Sequence, residues 1–592
     1  MTLPFFDDFS NYTGYPDGRH WQDSMAIINV GYAPLPPTVG MATFDALDAD
    51  GNLYESASTS TFPADTLTSR PIHLDGLQPS DSVVLSFYYL PGGGSGNRWE
   101  RVGETPDPND SLFLDFFFAH DSVWRTVWGC SGVSVDTLVA RTGLAWQYVA
   151  VAVADSACFD STFRFRFRTY CSLETNGKTG MTGNSDQWNI DYVLLDRNRS
   201  VAGTPAFRDV AFVEPAPSLL KRYQAMPARQ YATADMADTL DMTITNLFSS
   251  TLTSQYTYAV VDASSDTLYR YPGGFQNIPP FLPDGQYQSA PAHARPAVGY
   301  SFPESNTPSS YTIVHIVREG MGGDSRQQND TVRFQQIFSN YYAYDDGTSE
   351  SGYGLTSTAS HVYLANRYDL RVPDTLTAVD MYFNRTYHGE NERIPFFITI
   401  WDNDNGHPGN ILYQDQTRRL PAFDGLNRYH RYPLENEVIV EGTIFVGFDQ
   451  GNNDFINLGF DCNNNSAESR FYLTDVEWQQ SILSGSLMLR PCFGSAALLG
   501  IEHPQLTALN APLVYPNPAN QLVHIDGIPA QARIELYDML GRRPLSTFLS
   551  PISTLDVSNL PSGVYMLRII DTQAVKQSGN QAIHNVKLII SH

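Results

Sequence analysis

Pairs of neighbouring carboxylates are the side chains of this sequence whose type and spacing most directly suggest chemistry. Asp7 and Asp8 are adjacent near the start of the chain, and Asp345 and Asp346 form a second pair. Two carboxyl groups act together as general acid and base in glycoside hydrolysis, and carboxylate oxygens also bind Ca²⁺. A solvated turn has the same spacing, so the pairs keep a hydrolase with dispersed carboxylates open as one function.

The common catalytic motifs do not occur in the sequence. There is no HExxH helix of a zinc protease and no GxSxG nucleophile turn. GCSG at residues 129–132 places Cys130 beside Ser131, but no helical pattern follows it. The sequence therefore leaves catalysis uncertain and favours a protein that is not an enzyme.

Two loops rich in aspartate and asparagine are candidate Ca²⁺ sites. They are DALDADGNLY at residues 45–54 and WDNDNGHPGN at residues 401–410. Ca²⁺ takes roughly six to eight oxygen ligands, which such loops supply. Neither loop has the glycine spacing of an EF-hand, and a tight hairpin turn accounts for the same residues.

Arginine alternates with phenylalanine in TFRFRFRT, residues 162–169. Side chains of a strand alternate between its two faces, so the phenylalanines are expected in the core and Arg164, Arg166 and Arg168 on the opposite face. Guanidinium groups bind carboxylate or sulfate through two hydrogen bonds, which makes this row a candidate site for an anionic glycan. The alternative is that the arginines pair with acids of neighbouring strands.

A second candidate ligand contact is Trp99, in the glycine-rich loop at residues 91–104. An exposed tryptophan offers a flat apolar ring on which a sugar stacks. The alternative is that the ring folds back onto its own domain.

Almost every periodic segment of the chain is short, aromatic or β-branched and bounded by Gly, Pro or Asp, which is typical of strands. Examples lie at residues 82–90, 111–119, 146–153, 162–170 and 188–196. Strands and their turns are therefore expected to position the candidate residues above. No long stretch repeats with helical periodicity. The sequence predicts an all-β, multidomain string of jelly-roll and immunoglobulin-like β-sandwiches.

Shifts in composition divide the chain into four predicted domains. The first, residues 1–200, and the third, residues 340–496, have the length of jelly rolls. Residues 205–337 between them have the strand pattern of an immunoglobulin-like sandwich. The fourth domain spans residues 511–592 and is a small meander of strands.

The 592-residue chain has a formal net charge of −26. This charge argues against a nucleic-acid partner, because phosphate contacts need clustered Lys and Arg. No apolar run reaches the roughly 20 residues of a transmembrane helix. None of the five cysteines forms a CxxC pair, so structural zinc is not expected. Cys462 and Cys492 are expected either to form a disulfide or to be small buried apolar residues.

The C-terminal meander carries a specific pattern: YPNP, then ELYDMLGRR, then DVSNLPSGVYMLRI, then a terminal KLII. The two prolines of YPNP remove two N–H donors and keep the entering chain out of a central strand. The residues of the pattern are Tyr515, Pro516, Asn517, Pro518, Gly541, Gly563, Val564, Tyr565 and Lys587. In order and spacing the pattern resembles the type A C-terminal sorting domain of the type IX secretion system of Bacteroidota.

This resemblance implies a route out of the cell. A Sec signal takes such a protein to the periplasm, the outer-membrane translocon and its sorting machinery read the C-terminal domain, and the protein is released or attached to surface lipopolysaccharide. MTLPFFDDFS at the start is not a signal peptide, since it lacks a basic region and a long apolar core. We therefore expect a chain that begins after a removed signal and is located in the medium or at the cell surface.

The first domain begins with DDFSN and ends with WNIDYVLLD, in the manner of MAM-type and carbohydrate-binding jelly rolls, which it resembles. In related jelly rolls an acid from the first strand and one from the last share a structural Ca²⁺. The resemblance implies a Ca²⁺ ion held by Asp7 or Asp8 together with Asp191. First and last strands tend to be neighbours, which is consistent with this pairing.

Taken together, the sequence favours an exported, non-catalytic adhesin or a module that binds a glycan or a host protein. In this interpretation a jelly-roll domain stiffened by Ca²⁺ recognises the ligand, and the immunoglobulin-like domain is a spacer. The two alternatives are a secreted hydrolase and a structural or secretion-associated surface component.

Overall fold

The fold is taken from a computed structural model. In its N-terminal part it describes residues 1–92, 105–173, 186–202, 207–280, 295–324, 326–355, 361–385, 391–450, 456–474 and 476–494. In its C-terminal part it describes residues 513–515, 519, 521–526, 532–538, 542–544, 548–549, 554–571 and 583–590. The chain divides into two compact units, Met1–Leu506 and Thr507–His592.

The first part of unit one is a sandwich of two antiparallel sheets. Its strands are β1 Phe5–Asp7, β2 Ile27–Asn29, β3 Met41–Phe44, β4 Phe62–Thr68, β5 Val84–Pro91, β6 Ser111–Phe118, β7 Val123–Ser131, β8 Gln147–Ala152, β9 Phe165–Cys171 and β10 Trp188–Asp196. One sheet has the order β2-β3-β10-β5-β8 with β1 also paired to β10, and the other has the order β4-β9-β6-β7. Alternate residues of both sheets, such as Phe116, Phe167 and Leu85, fill the core between them.

One helix interrupts this sandwich, α1 Val135–Thr142, between β7 and β8. Ser134 caps it by accepting a hydrogen bond from the Thr137 backbone N–H, and Gly143 ends it in the left-handed conformation, with φ of 78°. The expectation that no helical pattern follows GCSG was wrong. A helix of eight residues is too short for its periodicity to stand out, and its caps were the better signal.

The second part of unit one contains two further sheets. Its strands are β11 Val210–Phe212, β12 Ala225–Pro227, β13 Ile244–Asn246, β14 Leu252–Asp262, β15 Thr267–Ile278, β16 Ser309–Glu319 and β17 Thr331–Ser339. The five-stranded sheet has the order β12-β17-β16-β14-β15, and β11 pairs with β13. Strand β12 lies parallel to β17, whereas the other pairs are antiparallel.

The third part of unit one has three sheets. Its strands are β18 Ser351–Tyr353, β19 Tyr363–Asp369, β20 Asp374–Met381, β21 Phe397–Asp404, β22 His407–Gln414, β23 His430–Val440, β24 Thr443–Asp449, β25 Leu458–Asp461, β26 Arg470–Leu473, β27 Gln479–Gln480, β28 Ser486–Leu487 and β29 Leu489–Phe493. The sheet orders are β22-β21-β24-β19-β26-β27, β18-β25-β28 and β23-β20-β29.

The second and third parts of unit one share one continuous hydrophobic core. A single cluster of buried side chains includes Phe212 and Val317 from the former and Leu376 and Phe493 from the latter. The four-domain division by sequence therefore stays a prediction, because contacts alone separate only the two units.

Unit two is a small sandwich with its own core. Its strands are β30 Leu513–Tyr515, β31 Leu522–Asp526, β32 Ala532–Asp538, β33 Phe548–Leu549, β34 Thr554–Asp556, β35 Gly563–Asp571 and β36 Ile583–Ile590. They form the sheets β30-β31-β34 and β33-β32-β35-β36. Val523, Leu536 and Leu567 are among the buried side chains between the sheets. Together with unit one, this confirms the predicted all-β, multidomain sandwich fold.

The cysteines do not form the disulfide that the sequence left open. All five lie among the described residues and are present as thiols. Cys492 is buried in a small apolar cluster, as the second alternative requires, whereas Cys462 is only half-buried. Burial raises the pKa of Cys130 in GCSG to about 12, so its thiol stays protonated and is a poor nucleophile. Among the described residues, no helix is both long enough and apolar enough to span a membrane.

Candidate functional site

An arginine and aromatic surface, formed by Arg164, Arg166, Arg168, Phe113, Phe117 and Trp124, covers the outer side of the sheet β4-β9-β6-β7. Its arginines come from β9 and the residue preceding it, and its aromatic rings come from β6 and β7. Phe163, Phe165 and Phe167 are buried in the core on the other side of the sheet. The Phe and Arg side chains therefore lie on opposite faces of the sheet, as their alternation in the sequence predicted.

Two of the three arginines share one carboxylate. Asp115 of β6 is 1% exposed, and its Oδ2 accepts hydrogen bonds from Arg166 Nε at 2.9 Å and Arg168 Nε at 2.7 Å. Burial acts to raise the pKa of Asp115, but the hydrogen bonds from Arg168 and its neighbours outweigh it and hold the pKa below its ordinary value. The carboxylate is therefore ionised and positions two guanidinium groups.

Each of the three guanidinium groups also stacks on an aromatic ring of the surface. The Cζ atom of Arg164 lies 3.9 Å from the ring centroid of Phe117 and that of Arg166 lies 4.5 Å from Trp124. Arg168 lies 4.6 Å from Phe113. Stacked guanidinium groups keep their edge N–H donors available to a ligand. Among the described residues, the surface therefore holds three cations and one buried acid, Asp115, in a very acidic protein.

Arg164 differs from the other two arginines. Its Nε is buried without a hydrogen-bond partner, and it has no carboxylate within ion-pair distance among the described residues. Trp99, the other residue predicted to contact a ligand, lies outside the described residues.

The first and last strands of the N-terminal sandwich are neighbours, as the Ca²⁺ prediction requires. β1 pairs with β10, with Asp7 opposite Val193. The pairing of β10 with β5 is irregular between Asp191 and Leu194, and Tyr192 there has a φ of 55°. This bulge redirects Asp191 and Tyr192 out of the regular alternation.

The two acids of the first strand have different surroundings. The carboxylate of Asp7 accepts hydrogen bonds from the Trp21 indole at 2.8 Å, the Tyr12 hydroxyl at 2.6 Å and the Phe9 backbone at 3.0 Å. Asp8 turns the other way. Its Oδ1 accepts from Ser10, and its Oδ2 accepts from the Asn329 amide at 3.0 Å.

The structure brings Asp8 into a buried group of oxygen-bearing side chains, here called the acidic cluster: Asp8, Asp191, Asp209, Asn329 and Asp330. The Nδ2 atom of Asn329 donates to Asp8 Oδ2 and to Asp209 Oδ2, both at 3.0 Å. Asp209 Oδ2 also accepts from the Tyr192 hydroxyl at 2.7 Å. All members are less than 10% exposed.

Burial and mutual repulsion raise the pKa of every carboxyl group in the acidic cluster. Burial raises the pKa of Asp8 to about 6, and the charge of Asp7 adds to the effect. The pKa of Asp330 is raised to about 8 by burial and by Asp324. The pKa values of Asp191 and Asp209 are raised by burial first and by neighbouring carboxylates second.

Sequence reasoning missed Asp209, Asn329 and Asp330. Asp209 immediately precedes β11, and the Asn329–Asp330 pair immediately precedes β17. Adjacent Asn and Asp before a strand were the only available signal, and they mark turns as often as sites. Their meeting with Asp8 depends on how the first and second parts of unit one pack.

Other acidic side chains have separate arrangements. Asp345 forms a buried ion pair with Arg490. Its neighbour Asp346 lies instead near Glu350 and Asp461, and burial together with the charge of Asp346 raises the pKa of Glu350 to about 7. No group of three or more Asp, Glu, His or Cys side chains is arranged to hold a metal ion anywhere in the described part of the chain.

The two Asp- and Asn-rich loops contain tight turns. In the loop at 401–410, Asn405 and Gly406 have φ values of 53° and 93° and join β21 to β22 as a two-residue hairpin. In the loop at 45–54, Asp48 Oδ1 accepts from the backbone of Asp50 at 2.9 Å. The turn alternative accounts for both geometries.

In unit two, the described residues of the C-terminal pattern lie on strands. Tyr515 ends β30, an edge strand, immediately before the proline pair. Gly563 and Val564 begin β35, and the Tyr565 hydroxyl donates to the Pro561 carbonyl at 2.8 Å. Lys587 lies on β36 opposite Met566. Pro516, Asn517, Pro518 and Gly541 lie outside the described residues.

The comparison with protein families decides what this unit is. Residues 513–583 match the family model described as "Secretion system C-terminal sorting domain". The C-terminal unit carries a type IX secretion sorting domain. This confirms the resemblance read from the sequence pattern. The sorting domain implies interaction with the secretion machinery and indicates a secreted or cell-surface protein.

Partial likenesses to solved structures are weak. A glycosyl hydrolase family 2 member from Bacteroides cellulosilyticus has 10% identity and a TM-score of 0.19, over 46% of this chain and 28% of that one. A putative beta-galactosidase from Bacteroides fragilis has 8% identity and a TM-score of 0.20, over 52% of this chain and 35% of that one. The CBM51-2 and INT domains of Clostridium perfringens ZmpB have 8% identity and a TM-score of 0.11, over 49% of this chain and 90% of that one. This chain thus spans about a third of the length of the two enzymes. No curated protein matches the chain.

Proposed function

We propose that this secreted or cell-surface protein is an adhesin-like binding protein that recognises an anionic glycan through the arginine and aromatic surface of its first sandwich. The observation that carries the proposal is the arrangement of Arg164, Arg166 and Arg168, three stacked guanidinium groups of which only Arg166 and Arg168 share a carboxylate. Sulfate and carboxylate groups accept paired hydrogen bonds from such donors.

Preorganisation supports this role. Asp115 and the rings of Phe117 and Trp124 restrict the arginine side chains before a ligand arrives. Less side-chain entropy is then lost on binding. The partly exposed rings beside the guanidinium groups add flat apolar area for the faces of sugar rings.

The sorting domain indicates a location outside the cell, where the binding of an anionic glycan is useful. Type IX cargo is exposed on the outer surface or released, where extracellular and host glycans are present. In this proposal the translocon recognises the sorting domain, and the mature protein is attached to surface lipopolysaccharide. Ca²⁺ held by Asp7 or Asp8 together with Asp191 stiffens the sheet opposite the arginines in this proposal, because β1 and β10 belong to that sheet.

The experiment is a binding array of sulfated, uronate-containing and neutral glycans, with the full chain and with Arg164→Gln. We expect binding to acidic glycans only, and about a tenfold loss in the variant, since one charge-assisted contact is removed. Arg164 is suited to this test because it does not bond Asp115, which keeps both of its arginine partners in the variant.

The matched control is Arg385→Gln, because Arg385 also stacks on a ring, Phe423, at 4.3 Å but lies in the third part of unit one. The control should bind like the unchanged protein. Equal affinity for neutral and acidic glycans, or equal affinity of the Arg164 variant, would rule the proposal out.

The hydrolase alternative has one supporting feature, an open groove of about 730 Å³ whose lining includes the carboxylates Asp402 and Glu441. Leu370, Leu412 and Ile439 line the same groove. If the hydrolase alternative is correct, glycans on the array should be shortened rather than retained, and Arg164→Gln should leave that activity unchanged.

A further inference from the structure

The C-terminal unit differs in charge from the rest of the chain. Residues 513–592 contain six Lys and Arg and five Asp and Glu, whereas the whole chain has a net charge of −26. The negative charge of the protein therefore lies in the residues that precede the sorting domain. For this reason unit two can present a basic surface in a protein that is otherwise acidic.

One face of the sheet β33-β32-β35-β36 points away from the core of unit two. Alternate side chains of β32 and β35, such as Leu536 and Leu567, are buried in that core, so the residues between them lie on the opposite face. Together with Arg543, which follows β32, they form what is here called the basic surface of unit two: Arg533, Tyr537, Arg543, Val564, Met566 and Arg568.

A buried carboxylate lies among these arginines. Glu535 of β32 is 3% exposed and lies opposite Arg568 in the strand register. Its Oε1 accepts hydrogen bonds from Arg533 and, at 3.1 Å, from Arg543, and its Oε2 accepts from the Tyr537 hydroxyl at 2.7 Å. Burial acts to raise the pKa of Glu535, but the hydrogen bonds from Tyr537 and Arg533 outweigh it and hold the pKa below its ordinary value.

The arginines have more donors than Glu535 uses. The side chains of Arg533 and Arg543 are 45% and 48% exposed. The Nε of Arg568 is buried and has no hydrogen-bond partner among the described residues. Buried donors are nearly always paired in native proteins, so Arg568 favours an acceptor that another molecule supplies.

Exposed apolar side chains lie beside these arginines. Val564 and Met566 of β35 are 38% and 40% exposed. Both belong to the DVSNLPSGVYMLRI segment of the sequence pattern, within the range that matches the sorting-domain family. Buried residues of this segment, such as Leu567, form the core of unit two, and Val564, Met566 and Arg568 are not part of that core. Exposed apolar residues bordered by charged groups are typical of a protein–protein interface.

We propose that the basic surface of unit two docks onto an acidic protein surface of the secretion machinery. Carboxylates of the partner would pair with Arg533, Arg543 and Arg568, since these three arginines surround one carboxylate and leave the surface positive. Apolar residues of the partner would cover Val564 and Met566, which favours a protein over a phosphate-bearing glycan. The inference depends on recognition of the sorting domain and not on the glycan proposal.

The test measures export of the full chain, preceded by a Sec signal, in a bacterium with an active type IX system. Pulse labelling gives the rate at which the chain passes from the periplasm to the cell surface or medium. Arg568→Gln should lower that rate by about tenfold, because one charge-assisted contact is lost. Arg295→Gln makes the same change of charge at an exposed arginine of unit one, paired with Asp241, and should be exported at the normal rate.

Two opposite substitutions of Met566 separate recognition from folding. Met566→Glu and Met566→Lys remove the same apolar contact, but only the Glu variant places a negative charge against an acidic partner. Met566→Glu should therefore be exported at least about tenfold more slowly than Met566→Lys. Stability of unit two should change in the reverse order, because Arg568, two residues along the same face, attracts Glu and repels Lys. Thermal unfolding of the purified full chains checks that order.

Equal export rates of the two Met566 variants, a normal rate for Arg568→Gln, or an equal loss in Arg295→Gln would overturn the proposal. If a Met566 variant does not fold, Arg568→Lys replaces that comparison. It keeps the charge and should be exported faster than Arg568→Gln, and equal rates would contradict a role for the charge.

Two other occupants of the surface give different results. Normal export of Arg568→Gln followed by loss of surface attachment would assign the arginines to lipopolysaccharide phosphate. Loss of a dimer of the purified chain in Arg568→Gln would assign the surface to a second copy of this protein. Either result would overturn the proposal. The glycan array uses purified protein and does not depend on export, so the two proposals can fail separately.

Discussion

Asp115 and Asp209 are buried to the same degree in one compact unit, yet their pKa values shift in opposite directions. Asp115 accepts hydrogen bonds from two arginines and is held below its ordinary pKa. Asp209 accepts from a tyrosine hydroxyl and an amide and is held above it. Burial alone therefore does not set the charge of a carboxyl group; the charge of its partners does.

The difference also separates two kinds of site. In the arginine and aromatic surface, the charge of the buried carboxylate of Asp115 is balanced by two partly exposed arginines. The acidic cluster has buried acceptors without donors among the described residues, and the pKa values of its carboxyl groups are raised by burial. The first arrangement suits an anionic ligand on a surface, and the second favours protonated carboxyl groups within the fold.

The largest effect is expected when Asp115, whose charge is balanced by two arginines, is replaced. Asp115→Asn leaves Arg166 and Arg168 without their shared carboxylate and should lower the free energy of unfolding by about 3 kcal/mol, since both arginines are only partly exposed. Urea unfolding of the full chain at pH 7 measures the change.

The control for Asp115→Asn is Asp121→Asn. Asp121 pairs with Arg125 at a more exposed position, so its loss should cost less than about 1 kcal/mol. Equal effects of the two substitutions would contradict the role assigned to Asp115.

The second prediction is that the two acids give stability profiles of opposite slope with pH. Asp8, with a folded pKa of about 6, binds protons more strongly when folded, so its contribution is full below the unfolded pKa near 4 and is lost as pH rises to about 6. The loss is roughly 2 to 3 kcal/mol in EDTA. Asp115, with a lowered pKa, contributes above its unfolded pKa and loses that contribution as pH falls.

Unfolding measured from pH 3 to pH 7 in EDTA tests this prediction, because the contribution of Asp115 changes near and below its unfolded pKa. The stability difference between the unchanged chain and Asp8→Asn should grow in favour of the variant as pH rises. The corresponding difference for Asp115→Asn should grow in favour of the unchanged chain. Parallel profiles would show that the surroundings of the two acids are electrostatically alike.

The smallest effect is expected from the hydroxyl donors of the two carboxylates. The Tyr192 hydroxyl donates to Asp209 at 2.7 Å, and the Thr126 hydroxyl donates to Asp115 at 2.7 Å. Tyr192→Phe should cost about 1 to 2 kcal/mol in EDTA, because Asp209 keeps only an amide donor. Thr126→Val should cost less, because Asp115 keeps two charged donors. The same unfolding assay measures both, and a larger cost for Thr126→Val would contradict the comparison.

Sequence reasoning located the arginine surface because its signal is local. The alternation of Phe and Arg over residues 162–169 requires only the two-residue repeat of a strand. It left open whether the arginines were free or paired. The structure shows both outcomes, because β6 places Asp115 beside two of them and not beside Arg164.

Sequence reasoning located only part of the acidic cluster. Asp191, with Asp7 or Asp8, was named because of the resemblance to jelly rolls, whose first and last strands are neighbours, and β1 does pair with β10. Asp209 and Asn329 were missed because they lie just before strands that follow much later in the chain, β11 and β17. The short helix α1 was missed because eight residues contain barely two helical turns.

The sequence by itself determined the all-β fold, the sorting domain and the faces on which side chains lie. These follow from strand periodicity, turn residues and a motif of fixed spacing, all of which are properties of neighbouring residues. Only the tertiary structure decided which charges meet. The partner of a buried charge comes from another strand, and the pKa of Asp115 and the excess of acceptors around Asp209 depend on residues from distant parts of the chain.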